Sequence, residues 1–181
     1  MSIPNLLTIL RIAALPVIIT LFRTGRHVSA AAVFFVVMLT DCVDGWLARK
    51  LNQQTTLGLY LDPVVDKIVL IVLLYELARA GLIDTAIAYL FLARELLQNA
   101  VRTVAALGGE VVGANWMGKT KAAFQTGLIT VGLALPGFSG PGERSQVLFA
   151  VSAWALLALT WCFFGMFACR NRKALSIQTE A

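Results

Sequence analysis

Four aspartates lie close together in one strongly apolar stretch of the chain. They are Asp41, Asp44, Asp62 and Asp66, within DCVDGWLARKLNQQTTLGLYLDPVVD. One aspartate at the centre of a membrane-spanning helix costs about 2.5 to 3.5 kcal/mol on insertion scales, so a set of four requires compensation. Carboxylates are preferred ligands of hard divalent cations, which would also remove the repulsion between the negative charges. No His or Cys stands at ligand spacing, so the residues predict one or two Mg²⁺ or Mn²⁺ ions and not zinc.

The aspartates form two pairs, and each pair has helical spacing. The first pair is three residues apart and the second four, so each pair shares one face of a helix. A short turn between the helices predicts that they are antiparallel neighbours whose carboxylates converge. Gly45, Ala48 and Gly58 lie on the same faces and leave room for a ligand, with close helix packing as their alternative role. Paired metals can clamp a diphosphate, which predicts phosphate chemistry, and Arg49 could pair with a phosphate or anchor the helix end.

The elements that carry these residues are predicted to be membrane-spanning helices. The chain has 181 residues, a mean hydropathy of +0.79 and 14% charged residues, whereas a soluble domain carries about 25%. A span takes about 20 helical residues, so the fold class is predicted as an all-α integral membrane protein with six transmembrane helices. Residues 1–181 are predicted to form one domain, with 171–181 as a flexible tail. The predicted helices are Pro4–Arg23, Val28–Lys50, Thr56–Ala80, Asp84–Leu107, Met117–Leu135 and Glu143–Cys169.

The distribution of basic residues predicts the orientation in the membrane. Six spans put both termini on one side, which receives Arg49, Lys50, Lys119, Lys121, Arg170, Arg172 and Lys173. The opposite side receives Arg23, Arg26, Arg79 and Arg144. The excess places both termini and the aspartates on the cytoplasmic side. The net charge of +5 then suits anionic lipid headgroups of the bilayer, and no nucleic-acid partner is predicted.

The complete spacing is D-x2-D-G-x2-A-R-x8-G-x3-D-x3-D, which resembles the signature of the CDP-alcohol phosphotransferase family. Members transfer a phosphatidyl-type group from a CDP-linked lipid to an alcohol and release CMP. The resemblance implies two divalent metals on the four aspartates, Asp66 as the general base, and Gly45, Arg49 and Thr55 in contact with the nucleotide and diphosphate. It also implies a bacterial-type plasma membrane location and a homodimer.

Further stretches resemble the phosphatidylglycerophosphate synthase branch of that family. They are IPNLLTILR, LDPVVDK, ARELLQNAVR and GKTKAAFQ. In the first, Asn5 and Thr8 are three residues apart and could reach the nucleotide from the first helix. The predicted CDP-lipid site therefore comprises Asn5, Thr8, Gly45, Ala48, Arg49, Thr55 and Gly58.

Basic residues in the fourth and fifth helices predict where the acceptor alcohol binds. Arg94 and Arg102 are costly in a span unless they are paired or face a cavity, and their spacing puts them about 80° apart on the helix. A phosphorylated acceptor such as glycerol 3-phosphate would need such cations. Alternatively, Glu95 pairs with Arg102, or Arg94 reaches the membrane surface. The predicted acceptor site comprises Arg94, Arg102, Lys119 and Lys121.

The resemblance implies transfer of a phosphatidyl group from CDP-diacylglycerol to sn-glycerol 3-phosphate, giving phosphatidylglycerophosphate and CMP. The same chemistry with inositol phosphate, inositol or serine as acceptor is an alternative, because basic residues alone do not exclude it. An ion transporter with intramembrane aspartates is an alternative of another class. That alternative does not explain the fixed positions of Gly45, Ala48, Arg49 and Gly58.

Overall fold

Six long α-helices and one short 3₁₀ turn make up the described part of the chain. A computed structural model describes residues 3–50, 56–107, 116–138 and 142–170, with side chains for 10–40, 64–105, 118, 120–138 and 142–170. The helices are α1 (Ile3–Arg23), α2 (His27–Lys50), α3 (Thr56–Arg79), α4 (Thr85–Leu107), α5 (Trp116–Ala134) and α6 (Glu143–Arg170). No strand occurs in these ranges, so the all-α prediction is confirmed for them. The tail predicted for 171–181 lies outside the described residues.

Local turn chemistry fixes the helix ends close to the predicted positions. Gly25 and Gly81 follow α1 and α3 with φ of 81° and 74°, a left-handed conformation that favours glycine at a helix C-terminus. Asp84 caps α4, because its Oδ1 accepts a hydrogen bond of 2.8 Å from the backbone N–H of Ala86. After α5 the chain tightens into the 3₁₀ turn at Leu135–Gly137.

The order of packing brings α1 and α5 against both helices that carry the aspartates. In the described residues α1 packs on α2 and α3, and α5 packs on α2, α3 and α6. The short turn between α2 and α3 predicts that these helices pack directly on each other. The described residues show no extensive packing between them. Helix α4 completes the bundle by packing on α3 and α6.

Among the described glycines, Gly132 on α5 has the least space around it. A Cβ atom added there would stand 2.6 Å from Cζ of Phe149 on α6 and 2.7 Å from Cδ1 of Leu77 on α3. Both neighbours are buried. The absence of a side chain at Gly132 therefore lets three helices meet.

Among the described side chains, two ion pairs join α1 to α3 at different depths. Arg11 donates to Asp66, and Arg23 forms a two-pronged pair with the buried Glu76 at 3.0 Å from Nε and 2.5 Å from Nη2. Arg79 adds a third contact to Glu76, at 3.1 Å. These pairs fix the register of α1 against the helix that carries Asp66.

The distribution of apolar side chains suits a lipid environment. One helix in the described ranges, Glu143–Arg170, is long and apolar enough on its own to cross a membrane, with a hydropathy of 2.1. Large apolar side chains also lie exposed on the other helices, while several charged side chains are buried. Examples of the exposed group are Val17, Phe35, Ile68, Leu96 and Phe124.

Candidate active site

The backbone of α2 and α3 is helical through all four aspartates. The spacings of three and four residues therefore place each pair along one side of its helix. The side chains of Asp41, Asp44 and Asp62 lie outside the described ones, as do those of Asn5, Thr8, Gly45, Ala48, Arg49 and Gly58. Thr55 is outside the described residues altogether. The roles predicted for all of these positions stay predictions.

Asp66 is the one aspartate of the motif whose side chain is described. It is 42% exposed, and its Oδ1 accepts a hydrogen bond from Nη1 of Arg11, which is only 3% exposed. Because Arg11 belongs to α1 and Asp66 to α3, the first helix supplies a positive charge directly at the predicted site. The guanidinium and a metal ion would compete for the same carboxylate oxygen, because both are cations.

The predicted acceptor residues Arg94 and Lys121 lie together in the interior. Glu95 is 7% exposed. Its Oε1 accepts hydrogen bonds from Nη1 of Arg94, at 2.9 Å, and from Nζ of Lys121. Arg94 also donates to Gln98 and, from Nε at 3.2 Å, to the backbone carbonyl of Thr160. These bonds connect α4 to α5 and α6, and they occupy most of the donors of Arg94.

In the described part of the chain, Arg102 and Lys67 donate fewer hydrogen bonds than Arg94 does. The guanidinium of Arg102 lies over the ring of Phe167, 5.8 Å from the centroid, and its buried Nε has no hydrogen-bond partner in the described part of the chain. Lys67 donates to the amide oxygen of Asn99 on α4, and it lies within electrostatic range of Glu95, Arg94 and Arg102.

Two alternative roles are predicted for these residues: a pair between Glu95 and Arg102, and an extension of Arg94 to the membrane surface. The described contacts show neither of them. Glu95 does not form the expected pair with Arg102 in the described contacts but binds Arg94 and Lys121 instead. Arg94 is 2% exposed and does not extend to the membrane surface. The side chain of Lys119, the fourth predicted residue, lies outside the described ones.

Two residues of this region were absent from the predicted site. Arg11 stands in the middle of an apolar helix, and the cost of an unpaired charge there was a usable signal for a carboxylate partner. Lys67 directly follows Asp66 in LDPVVDK, where the sequence gives no indication that it turns toward α4.

The arrangement suits the binding of an anion. Lys67, Arg94, Arg102 and Lys121 interact electrostatically with one another or with Glu95, which is the one carboxylate bonded to them in the described part. Buried charges are stable when they are paired. An excess of cations in the interior therefore favours a phosphate-bearing ligand.

Comparison with known proteins gives the class of the chain. The family described as CDP-alcohol phosphatidyltransferase matches residues 1–170. The chain therefore belongs to the CDP-alcohol phosphatidyltransferase family, as its aspartate spacing predicts, and it is a transferase.

Individual relatives carry names for a particular reaction of that class. A Bacillus subtilis protein named CDP-diacylglycerol--glycerol-3-phosphate 3-phosphatidyltransferase is 35% identical over 135 residues, covering 66% of this chain and 70% of its own. A Rickettsia bellii protein of the same name is 37% identical over 127 residues, covering 68% and 70%. A Mycobacterium tuberculosis H37Rv protein named probable phosphatidylglycerophosphate synthase is 33% identical over 165 residues, covering 88% and 78%.

Proposed function

We propose that the chain transfers a phosphatidyl group from CDP-diacylglycerol to sn-glycerol 3-phosphate, giving phosphatidylglycerophosphate and CMP. The observation that carries the choice of acceptor is the excess of basic side chains near Glu95, where Lys67 and Arg102 add to the two cations that this carboxylate binds. The names of the relatives from three organisms support the same reaction.

We also propose that all six helices span the membrane as one domain. Each has between 19 and 28 residues, close to or above the length of about 20 that a span requires. Exposed apolar side chains on each helix support contact with lipid tails. The aspartates and both termini would then face the cytoplasm, in line with the distribution of basic residues. The tail at 171–181 and the homodimer stay predictions.

Two divalent cations, Mg²⁺ or Mn²⁺, are proposed at Asp41, Asp44, Asp62 and Asp66. The donor chemistry fits hard cations, because all four ligands are carboxylates, and the partly exposed Asp66 is accessible to one. When bound, the cations supply charge neutralisation for the diphosphate of the CDP-lipid. Asn5, Thr8, Gly45, Ala48, Arg49, Thr55 and Gly58 are proposed to hold the CDP-lipid itself.

The chemical step requires the removal of one proton and the exchange of one phosphorus–oxygen bond. Asp66 accepts the proton from the attacking hydroxyl of glycerol 3-phosphate. The hydroxyl oxygen bonds to the phosphorus that carries diacylglycerol, and the bond from that phosphorus to the bridging oxygen breaks. CMP leaves with the bridging oxygen and its electron pair. Holding both reactants in line contributes much of the rate in such transfers.

The alternatives are less well supported by the same observations. Inositol bears no charge, and serine bears only a carboxylate beside its own ammonium group, so neither supplies the phosphate that the cations favour, whereas inositol phosphate would supply one. An ion transporter that uses the aspartates would not require the basic residues Lys67, Arg94, Arg102 and Lys121 near them.

Substitution Asp66→Asn tests this proposal directly. Loss of its proton-accepting carboxylate should lower CMP release from CDP-diacylglycerol and glycerol 3-phosphate by about 100-fold or more. The matched control is Asp84→Asn, which removes a carboxylate at a helix cap where Asn serves equally well. Wild-type rates in a folded Asp66→Asn variant would remove Asp66 from the mechanism.

A further inference from the structure

We infer that Lys67, together with Arg102, binds the phosphate of the acceptor alcohol, while Arg94 and Lys121 hold the pocket in place. This assignment rests on the proposed function and adds a residue to the acceptor site. It also separates three of the four predicted acceptor residues by role: Arg102 binds the phosphate, whereas Arg94 and Lys121 stabilise the pocket.

The first argument comes from the hydrogen bonds of Glu95. Its carboxylate is shared between Arg94 and Lys121. Arg94 also donates hydrogen bonds to the side chain of Gln98 and to the backbone carbonyl of Thr160. These two cations are therefore neutralised and fixed within the protein, and an incoming phosphate would have to compete with Glu95 for them.

The second argument concerns the partners of Lys67 and Arg102. Among the described residues, Lys67 donates its hydrogen bond to a neutral amide oxygen, Oδ1 of Asn99. Arg102 contacts an aromatic face, and its buried Nε lacks a hydrogen-bond acceptor in the described part of the chain. A partly buried ammonium and a partly buried guanidinium that bond no carboxylate among the described side chains form a site that a dianionic phosphate can neutralise.

The third argument is the position of Lys67 next to Asp66. Successive residues of a helix point about 100° apart. Asp66 turns toward Arg11 on α1, and Lys67 turns toward Asn99 on α4. Because the two residues are consecutive on α3, an acceptor with its phosphate at Lys67 would lie on the same turn of the helix as Asp66. A short phosphorylated alcohol matches this arrangement.

Two substitutions test the assignment in opposite ways. Lys67→Met removes the cation and should raise the KM for glycerol 3-phosphate by about 10- to 100-fold, the value of one charge-assisted hydrogen bond. Asn99→Asp keeps Lys67 but gives it a permanent carboxylate partner of the same shape. It should raise the same KM by about tenfold, because the phosphate must now displace an anion. The KM for CDP-diacylglycerol should change less than about threefold in both variants.

The control is Arg26→Met, which removes an exposed basic side chain in the turn after α1 and should leave both constants unchanged. An equal rise of both KM values in Lys67→Met, or an unchanged KM for glycerol 3-phosphate in Asn99→Asp, would overturn the role of Lys67. Those results would leave the proposed function intact. Absence of CMP release by the folded wild-type protein with glycerol 3-phosphate would instead remove the proposed function.

Discussion

Replacing Glu95 with leucine should destabilise the protein strongly, because two buried cations depend on its carboxylate. The side chains of Glu95 and Lys121 are each 10% exposed and that of Arg94 is 2% exposed, so water screens the pairs poorly. At the 2.9 Å that separates Arg94 from Glu95, the gross attraction is about 6 kcal/mol with an effective dielectric constant of about 20. Desolvation of both groups offsets much of it. Removing one partner of a buried pair costs about 3 to 5 kcal/mol, since the other charge stays buried.

The double variant Glu95→Leu/Lys121→Met separates this charge effect from a simple loss of packing. Replacing both partners by apolar groups leaves one cation fewer without a counter-charge, so the double variant should be more stable than Glu95→Leu alone. The coupling free energy between the two positions should reach about 2 kcal/mol.

Unfolding in mixed micelles, followed by circular dichroism during titration with sodium dodecyl sulfate, would measure these differences. The control is Glu143→Leu, an exposed carboxylate in the first turn of α6, which should cost less than about 1 kcal/mol. A Glu95→Leu variant as stable as the wild type would refute the reasoning. So would strictly additive effects of the two substitutions.

Two further predictions concern α1 and α5. Arg11→Gln removes the positive charge beside Asp66 and should tighten Mn²⁺ binding several-fold, as measured by electron paramagnetic resonance in detergent; weaker binding would mean that Arg11 supports the metal site. Gly132→Ala should lower the free energy of unfolding by about 1 to 3 kcal/mol, because the added methyl group meets two buried side chains at under 3 Å. Gly127→Ala is the control on the same helix, with open space around its Cβ, and equal stability of the two variants would argue against the close packing at Gly132.

The helices could be predicted from the sequence nearly to the residue. Long apolar runs separated by glycine and proline turns are local signals, so the observed ends of α2 at His27 and α5 at Ala134 each lie one residue from the predicted ends. The family could also be predicted, because the aspartate spacing lies within 26 consecutive residues of the chain and depends on no distant contact.

The pairing inside the bundle could not be predicted in the same way. Glu95 and Arg102 share a helix face, which favours a pair between them on sequence grounds. The carboxylate instead binds Lys121, which lies 26 residues away on α5. Which helix lies beside α4 at that depth depends on the packing order of the whole bundle. The direction of Lys67 toward Asn99 depends on it as well.

The choice of acceptor is tested most directly by CMP release from purified protein in detergent. CDP-diacylglycerol and Mg²⁺ would be supplied with glycerol 3-phosphate, inositol 1-phosphate, inositol or serine in separate reactions. We predict rapid release with glycerol 3-phosphate and little with the other three. Faster release with any other acceptor would contradict the proposed reaction, and release with none of the four from folded protein would contradict the proposed enzyme activity itself.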